Sequence, residues 1–215
     1  MAYELNGTSQ YFNTTSAPVT AAPLTLAAWF YPNNATSNMV LVSIPDNAEV
    51  NSNRFFLYAN GVAAGDPIET GAQGTGGLAI AATTTGFSAN SWNHACGVFA
   101  STSSRTSYLN GGSAGTNTAT VTPSGVDRVR MAARFNGGNP GLYLSGRLAE
   151  IGIWSAALNA DEVASLADGI TCDKVRPRSL VFYAPLVRNL VDVKGGLTIT
   201  NNNTATVANH PRVYA

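Results

Sequence analysis

The stretch from Gly146 to Gly169 constrains the fold of this chain more than any other segment. It begins with a strand-like alternation that predicts two faces, one with Leu148, Glu150, Gly152 and Trp154 and the other with Ala149, Ile151 and Ile153. Helix signals follow, because Asn159 is a preferred N-cap residue and Glu162 stands three positions later, as in a capping box. Apolar residues then recur at helical spacing up to Gly169, a residue suited to ending a helix. We expect a strand that leads into one short helix near 159–168.

Strand signals dominate the remainder of the chain. Residues 24–32, LTLAAWFYP, predict a central strand that ends at a proline, and Asn-Gly pairs predict tight turns at 6–7, 60–61 and 110–111. The glycine-rich run 65–77 is expected to be an exposed loop tip. One helix among many short strands predicts an all-β fold, an antiparallel two-sheet jelly-roll sandwich.

Three segments resemble laminin-G-like domains, which are concanavalin A-like jelly rolls. The first is Leu-Thr-Leu-Ala-Ala-Trp at 24–29, the second is Trp92 and His94 followed by Tyr-Leu-Asn-Gly at 108–111, and the third is the strand-to-helix stretch. The resemblance implies a single sandwich over residues 1–200, followed by an extended tail over 201–215 that contacts a partner. The tryptophans expected in the core are Trp29, Trp92 and Trp154.

Catalysis is not predicted. Sugar hydrolases that share this fold carry their acids as Glu-x-Asp-x-x-Glu, because retaining hydrolysis needs two carboxylates about 5 Å apart. The comparable run here, EIGIWS, contains only Glu150, which is expected to form a hydrogen bond or ion pair at the sandwich surface, with Arg147 as its candidate partner. His94 and Cys96 are the residue types of a nucleophile pair, but their spacing with Trp92 favours a stripe of core residues. We therefore predict no enzymatic activity and no catalytic residues.

Calcium is the cofactor that the resemblance suggests, since many such domains hold it between loops at a sandwich rim. Calcium takes about six to eight oxygen ligands. The loop carboxylates that qualify are Asp46, Glu49, Asp66 and Glu69. No spacing among them marks a site, and solvated loop charges explain them equally well. The prediction is therefore no cofactor, with calcium as the alternative.

Charge and hydropathy exclude several classes of partner. Charged residues make up 11% of the chain and the formal net charge is zero, so bulk electrostatics do not favour nucleic acid. No apolar run reaches the roughly 18 residues that a membrane span needs. The start of the chain lacks the basic and apolar regions of a signal peptide, which predicts synthesis in the cytoplasm. In that compartment Cys96 and Cys172 are expected to be free thiols, with a disulfide between them as the alternative.

These inferences favour a module that binds or assembles. A stand-alone domain of this kind resembles those that tailed phages display. The first prediction is therefore a virion surface protein, made in the host cytoplasm, that decorates a head or is associated with a fibre. Its partners would be capsid or fibre proteins and further copies of itself.

The alternative is a lectin-like module that binds cell-surface glycans. Its binding rim would be formed by the polar loops at 45–53, 65–77 and 135–141. The candidate rim residues are Asn47, Asn51, Asn53, Gln73, Asn136 and Asn139.

Overall fold

The computed structural model describes residues 1–47 and 53–214. Within them the chain forms seventeen strands, one α-helix and one 3₁₀ helix. The strands are β1 (Ala2–Asn6), β2 (Tyr11–Asn13), β3 (Leu24–Pro32), β4 (Asn38–Pro45), β5 (Arg54–Asn60), β6 (Pro67–Gly74), β7 (Gly77–Gly86), β8 (Asn93–Ser101), β9 (Ser104–Leu109), β10 (Gly112–Asn117), β11 (Arg130–Met131), β12 (Arg134–Asn136), β13 (Asn139–Gly141), β14 (Ser145–Trp154), β15 (Leu180–Ala184), β16 (Thr200–Asn202) and β17 (Thr206–Ala208). Helix α1 spans Ala160–Ala167, and the 3₁₀ helix spans Cys172–Lys174. Neither of these described helices has the length and apolar character needed to cross a bilayer.

Two antiparallel sheets form a sandwich. The eight-stranded sheet has the order β10-β9-β8-β3-β14-β1-β17, with β15 also paired to β14, and the seven-stranded sheet has the order β16-β2-β11-β4-β5-β6-β7. Strands β12 and β13 form a separate hairpin. The predicted all-β jelly roll with one short helix is confirmed, and Asn159 and Glu162 form the predicted capping box.

Alternate residues of each strand fill the space between the sheets. In β3 the residues that face this core are Leu24, Leu26, Ala28 and Phe30. Phe55, Leu57 and Ala59 of β5 reach the same core from the opposite sheet. Burying one large apolar side chain contributes roughly 1.5–3 kcal/mol. The alternation therefore fixes which side chains of each strand are left on the outer face.

The predicted faces of β14 are wrong beyond Ala149. Leu148, Ile151 and Ile153 all belong to the core between the sheets, although strict alternation would separate Leu148 from the two isoleucines. The register with β3 shifts between Ala149 and Gly152, and Glu150 within the shift has a φ of 52°. A β-bulge adds one residue to the strand, and that residue reverses the faces that follow.

The prediction of three core tryptophans holds for Trp154 alone. Trp154 is fully buried in a second cluster, under α1 on the outer face of the eight-stranded sheet, and its Nε1 donates to the Val175 carbonyl at 2.8 Å. Trp29 and Trp92 are only half-buried. Trp29 follows an inward residue of β3 and so faces outward, where its ring packs on His94 with centroids 5.3 Å apart. Trp92 precedes β8 and packs on Tyr31.

The C-terminal residues take part in both sheets. β16 pairs with β2 in the seven-stranded sheet, and β17 pairs with β1 in the eight-stranded sheet. The sandwich therefore continues beyond residue 200, where the sequence predicted an extended tail. The last described residue, Tyr214, forms a parallel bridge with Ile170 after α1. Cys96 and Cys172 are both buried free thiols, as expected.

The exposed loop expected at 65–77 is wrong. Most of it forms β6, which is paired on both sides, with β5 and with β7. Its central glycine, Gly71, serves close packing against a neighbouring ring instead of a turn. A glycine that permits close approach and a glycine that permits a turn are indistinguishable in the sequence.

Candidate functional site

The site with the most suggestive chemistry lies on the outer face of the seven-stranded sheet. Because Phe55, Leu57 and Ala59 of β5 point into the core, Phe56 and Tyr58 point outward. The two outward rings lie 4.2 Å apart between centroids, with an interplanar angle of 33°. β5 is therefore apolar on both faces, and its outer face carries a stacked aromatic pair.

Gly71 forms the floor under this pair. It pairs with Phe56 across β5 and β6, and a Cβ added to it would lie 2.0 Å from Cζ of the Phe56 ring. Since real Cβ atoms do not approach other atoms so closely, the ring lies flat over the glycine backbone. Any larger residue at position 71 would displace the ring.

Two polar pairs flank the aromatic pair. At one end Nη2 of Arg54 donates to Oε1 of Gln73, and the guanidinium Cζ lies 5.9 Å from the centroid of the Phe56 ring. At the other end Nδ2 of Asn60 donates to Oε1 of Glu69 at 2.7 Å. Guanidinium, amide and carboxylate groups beside aromatic faces are a combination that can hydrogen-bond hydroxyl groups while apolar ligand atoms contact the rings.

The β12–β13 hairpin crosses this face. Leu142, directly after β13, packs against the Phe56–Tyr58 cluster, and its carbonyl accepts from the Val40 amide at 3.0 Å. On the other side the Phe135 ring packs on the Arg130 guanidinium, whose Cζ lies 3.7 Å from the ring centroid, and on the Tyr11 ring, with centroids 5.1 Å apart. Phe56 is only 2% exposed and Tyr58 only 7% exposed, although both point away from the core, and the side chains packed against them are Leu142 and Ile80 of β7.

Two clefts flank the hairpin. The first, which we name the outer-face cleft, has a volume of about 160 Å³ and is lined by residues that include Asn38, Arg54, Phe56, Tyr58, Glu69 and Arg134. The second, the hairpin cleft, has a volume of about 210 Å³ and is lined by Arg134, Asn136, Asn139, Gly141 and Leu142. Arg134 and Leu142 line both clefts and separate them.

A larger cavity, of about 380 Å³, lies beside α1. Its polar groups already serve the helix. Glu162 accepts from the Asn159 amide as part of the capping box, and its other oxygen accepts from Nε of Arg176 at 2.8 Å. None of its described lining residues is aromatic, whereas Phe56 and Tyr58 line the outer-face cleft.

The structure brings together some of the predicted rim residues. Gln73 is bonded to Arg54 at the outer-face cleft, and Asn136 and Asn139 line the hairpin cleft. Asn53 is engaged elsewhere, because its amide donates to Asp46 at 3.3 Å and its oxygen accepts from the Ser124 amide at 3.2 Å.

Asn47 is exposed at the end of β4, next to that network. The remaining candidates, Glu49 and Asn51, lie outside the described residues.

The carboxylates proposed for calcium are not brought together where they are described. Asp46 lies beside the first residues of β5, whereas Asp66 precedes β6 beside the last residues of β5. A strand of seven residues separates these ends by roughly 20 Å. Glu69 is bonded to Asn60. Across residues 1–47 and 53–214, no group of three or more His, Cys, Asp and Glu side chains has a geometry that could hold a metal ion.

Glu150 is not the surface residue that the sequence suggested. It is 4% exposed, the Tyr183 hydroxyl donates to its Oε2, and Nε2 of His210 lies 3.1 Å from its Oε1. Arg147 pairs instead with Glu4, at 2.7 Å. Tyr183 and His210 cover Glu150 at the bulge, whereas Arg147 precedes the bulge and stays at the surface.

His94 and Cys96 have the properties of core residues. His94 is 2% exposed, and burial lowers its pKa to about 3. Burial also raises the pKa of the Cys96 thiol. At neutral pH the imidazole is therefore uncharged and the thiol protonated, which supports core positions for these two residues, whereas Trp92 of the predicted stripe is only half-buried.

Arg54, Phe56, Gly71 and Arg134 were not predicted as site residues, and the sequence did not distinguish Tyr58 from the other tyrosines. One signal was available: the run RFFLYAN places apolar side chains on both faces of β5. A strand in the outer layer of a sandwich needs apolar residues on one face only. The additional outward rings therefore indicate that something covers that face.

The family assignment agrees with this architecture. The family model for the concanavalin A-like lectin/glucanases superfamily (laminin G, type 3) matches residues 6–164. The chain belongs to this superfamily. No match was found among curated proteins. The matched residues run from the last residue of β1 into the first part of α1, and they include the residues that line the outer-face cleft.

Solved structures share the superfamily fold at low identity. The heptameric SAP-like pentraxin from Limulus polyphemus has a TM-score of 0.69 and 16% identity, over 97% of this chain and 94% of that one. The CBM40 of a Ruminococcus gnavus sialidase, bound to α2,3-sialyllactose, has a TM-score of 0.60 and 13% identity, over 77% and 95%. Domain 4 of a Geobacillus stearothermophilus arabinanase, in complex with arabinotriose, has a TM-score of 0.59 and 19% identity, over 77% and 76%. At these identities the likeness establishes the fold.

Proposed function

We propose that this protein is a non-catalytic carbohydrate-binding module that binds its glycan at the outer-face cleft. The observation that carries the proposal is the stacked Phe56–Tyr58 pair with a hydrogen-bonded polar pair at each end. Sugar rings present C–H faces that pack on aromatic rings and hydroxyl groups that need planar donors and acceptors. Aromatic surface with a few placed polar groups is typical of small-molecule sites.

Two further facts support a glycan. Two of the similar solved structures are sugar-bound modules, one with α2,3-sialyllactose and one with arabinotriose. The chain itself has no net charge and only 11% charged residues, which suits a neutral polar ligand better than a polyanion.

A glycan array followed by titration calorimetry tests the proposal. Glu69→Gln and Gln73→Ala are expected to weaken binding of any glycan identified on the array by roughly tenfold. The first replaces a charged acceptor oxygen with an amide donor and the second removes an amide, and each loss costs about 1.5 kcal/mol. Asp161→Asn, on the exposed face of α1, is the matched control and is expected to bind as the wild type does. Silence across the array, or equal affinity in all variants, would contradict the proposal.

A second candidate function is assembly at a virion surface, through capsid or fibre proteins. The observation that favours it is a set of exposed valines in the C-terminal part of the chain: Val187, Val191, Val193 and Val207, which are 45–59% exposed. Apolar side chains at the surface are typical of protein contacts when they are contiguous. Val207 lies on β17, which is also an edge strand.

Co-sedimentation with virus particles tests assembly. Val193→Ser and Val207→Ser are expected to abolish co-sedimentation without changing the unfolding midpoint, since both side chains are already in solvent. A protein that never associates with particles would count against this function, and the carbohydrate proposal would be unaffected.

A further inference from the structure

The aromatic pair on the outer face is covered by other side chains. A ligand could bind against its rings only if this cover moved. Phe56 and Tyr58 are almost fully buried, and the outer-face cleft above them measures about 160 Å³. Ligand pockets typically measure about 300–1,000 Å³. The cleft as it stands is too small for an oligosaccharide.

The hairpin is the part of the chain that limits this space. The outer-face cleft and the hairpin cleft are separated by the side chains of Arg134 and Leu142. Arg134 belongs to β12, so a movement of the hairpin would remove it from between the clefts. Without Arg134 between them, the two clefts would merge beside the Phe56–Tyr58 pair into a groove of the usual size of a ligand site.

The backbone at both ends of the hairpin is suited to act as a pivot. Ala132, before β12, has a φ of 66°, and Leu142, after β13, has a φ of 50°. Side chains other than glycine are disfavoured in this left-handed region, and such positions cluster at segments that switch. At the tip, residues 136–140 are exposed, and a Cβ added to Gly137 or Gly138 would meet no atom within 4 Å.

The closed arrangement also leaves polar atoms unsatisfied. Oδ1 of Asn38 and Nε of Arg134 are buried without a hydrogen-bond partner in the described part of the chain, and both residues line the outer-face cleft. Buried polar groups in native structures normally have partners. Opening would return both atoms to water, or offer them to ligand hydroxyl groups.

Between the two pivots, Phe135 anchors the hairpin to the sheet. Phe135 contacts the ring of Tyr11 edge-on and the guanidinium of Arg130, and these two residues belong to β2 and β11 of the sheet below. Such aromatic and cation–π contacts are strong enough to favour the closed state and weak enough to be reversible.

We propose that the β12–β13 hairpin is a hinged cover, released at Phe135, that must swing off the sheet before an oligosaccharide can lie across Phe56 and Tyr58. This inference rests on the proposed carbohydrate function. A cover of this kind reduces the apparent affinity by the fraction of molecules that are open. A substitution that weakens the closed state of the hairpin therefore increases the apparent affinity, although it adds no contact with the ligand.

Trypsin cleavage after Arg134 measures the open population directly, because cleavage of a transiently opened segment follows how often it opens. Tyr11→Leu removes the ring on the sheet side of the Phe135 contact and leaves the cleavage sequence unchanged. We expect it to increase the initial rate of this cleavage at least threefold, as identified by mass spectrometry. Tyr11→Phe keeps the ring and is the matched control, with the wild-type rate. Phe135→Ala provides a second, independent loosening.

The same variants are titrated with arabinotriose, α2,3-sialyllactose and any oligosaccharide found on the array. Tyr11→Leu is expected to bind the recognised oligosaccharide at least threefold more tightly than Tyr11→Phe. Unchanged cleavage in both loosened variants overturns the hinged cover and leaves the carbohydrate function standing. Faster cleavage with unchanged affinity also overturns it, since the hairpin then does not restrict access. Faster cleavage with no oligosaccharide bound by any variant supports the hinge and contradicts the carbohydrate function.

Discussion

The hydroxyl of Tyr183 donates a hydrogen bond to Oε2 of the buried Glu150 carboxylate. Burial, and then the charge of Glu150, raise the pKa of the Tyr183 hydroxyl, so it stays protonated and remains a donor. The other carboxylate oxygen faces Nε2 of His210, which also lies 3.2 Å from the Pro185 carbonyl. This cluster connects β14 and β15 to the C-terminal segment beyond β17.

Tyr183→Phe is therefore expected to destabilise the protein by about 1–3 kcal/mol, because it leaves a buried carboxylate oxygen without its donor. Urea unfolding measures the loss. Tyr31→Phe is the control, since the ring contacts of Tyr31 with Trp92 and Arg147 survive the change. It is expected to stay within about 0.5 kcal/mol of the wild type. Equal effects of the two substitutions would show that the bond to Glu150 contributes nothing.

Glu150 and His210 are expected to be energetically coupled. Their side chains are 4% and 12% exposed, and His210 belongs to the segment that ends in the bridge between Tyr214 and Ile170. In a double-mutant cycle with Glu150→Gln and His210→Gln, we expect an interaction free energy of about 1 kcal/mol or more, as is typical of buried residues in contact. Additive effects would mean that the contact between Glu150 and His210 does not help to hold the C-terminal segment.

His94 makes stability fall with acid. Its pKa is about 3 in the folded protein because of burial, whereas an unfolded histidine has a pKa of about 6.5. Between these two pKa values the unfolded chain binds a proton that the folded protein does not. The free energy of unfolding therefore rises with pH in this range and is lost as the pH falls below about 6.5. Its slope approaches 1.4 kcal/mol per pH unit.

Urea midpoints at pH 6.5 and pH 5.0 measure this slope, and His94→Gln is expected to reduce it. The ring signals of His94 in an NMR titration give the independent check. A His94 imidazole that becomes charged near pH 6 in the folded protein would contradict the burial argument.

The fold could be predicted from the sequence because its signals are local. Each signal lies within a few consecutive residues, as the capping box of Asn159 and Glu162 and the alternation in β3 show. The faces of β14 could not be predicted, since the bulge at Glu150 has no sequence signature and reverses every side chain after it. Trp29 was predicted wrongly for a related reason. Its size and apolar character favoured the core, but it follows an inward residue of β3, and the alternation of the strand therefore places it on the outer face.

The candidate site was less accessible to sequence reasoning. Its groups come from strands far apart in the chain, so Arg54 meets Gln73 and Arg134 only through sheet pairing and hairpin packing. Among the polar loop residues predicted to bind a ligand, Asn136 and Asn139 belong to the hairpin. These predictions did not identify the sheet below it as part of the site. Loop composition indicates exposure, whereas the site depends on outward side chains of paired strands.

Gly71 provides the sharpest single test of the outer-face site. An added Cβ would lie 2.0 Å from Cζ of Phe56 and 2.5 Å from both Cε atoms, so in Gly71→Ala the ring must leave its position against Tyr58. We expect a loss of about 1–3 kcal/mol in the free energy of unfolding, as for other overpacked positions, together with loss of glycan binding. Gly112→Ala in β10 is the matched control, because a Cβ there meets no atom within 4 Å, and it is expected to unfold at the wild-type midpoint. If Gly71→Ala kept both its stability and its affinity, the Phe56 ring could not be a fixed platform, and the site would have to lie elsewhere on the sandwich.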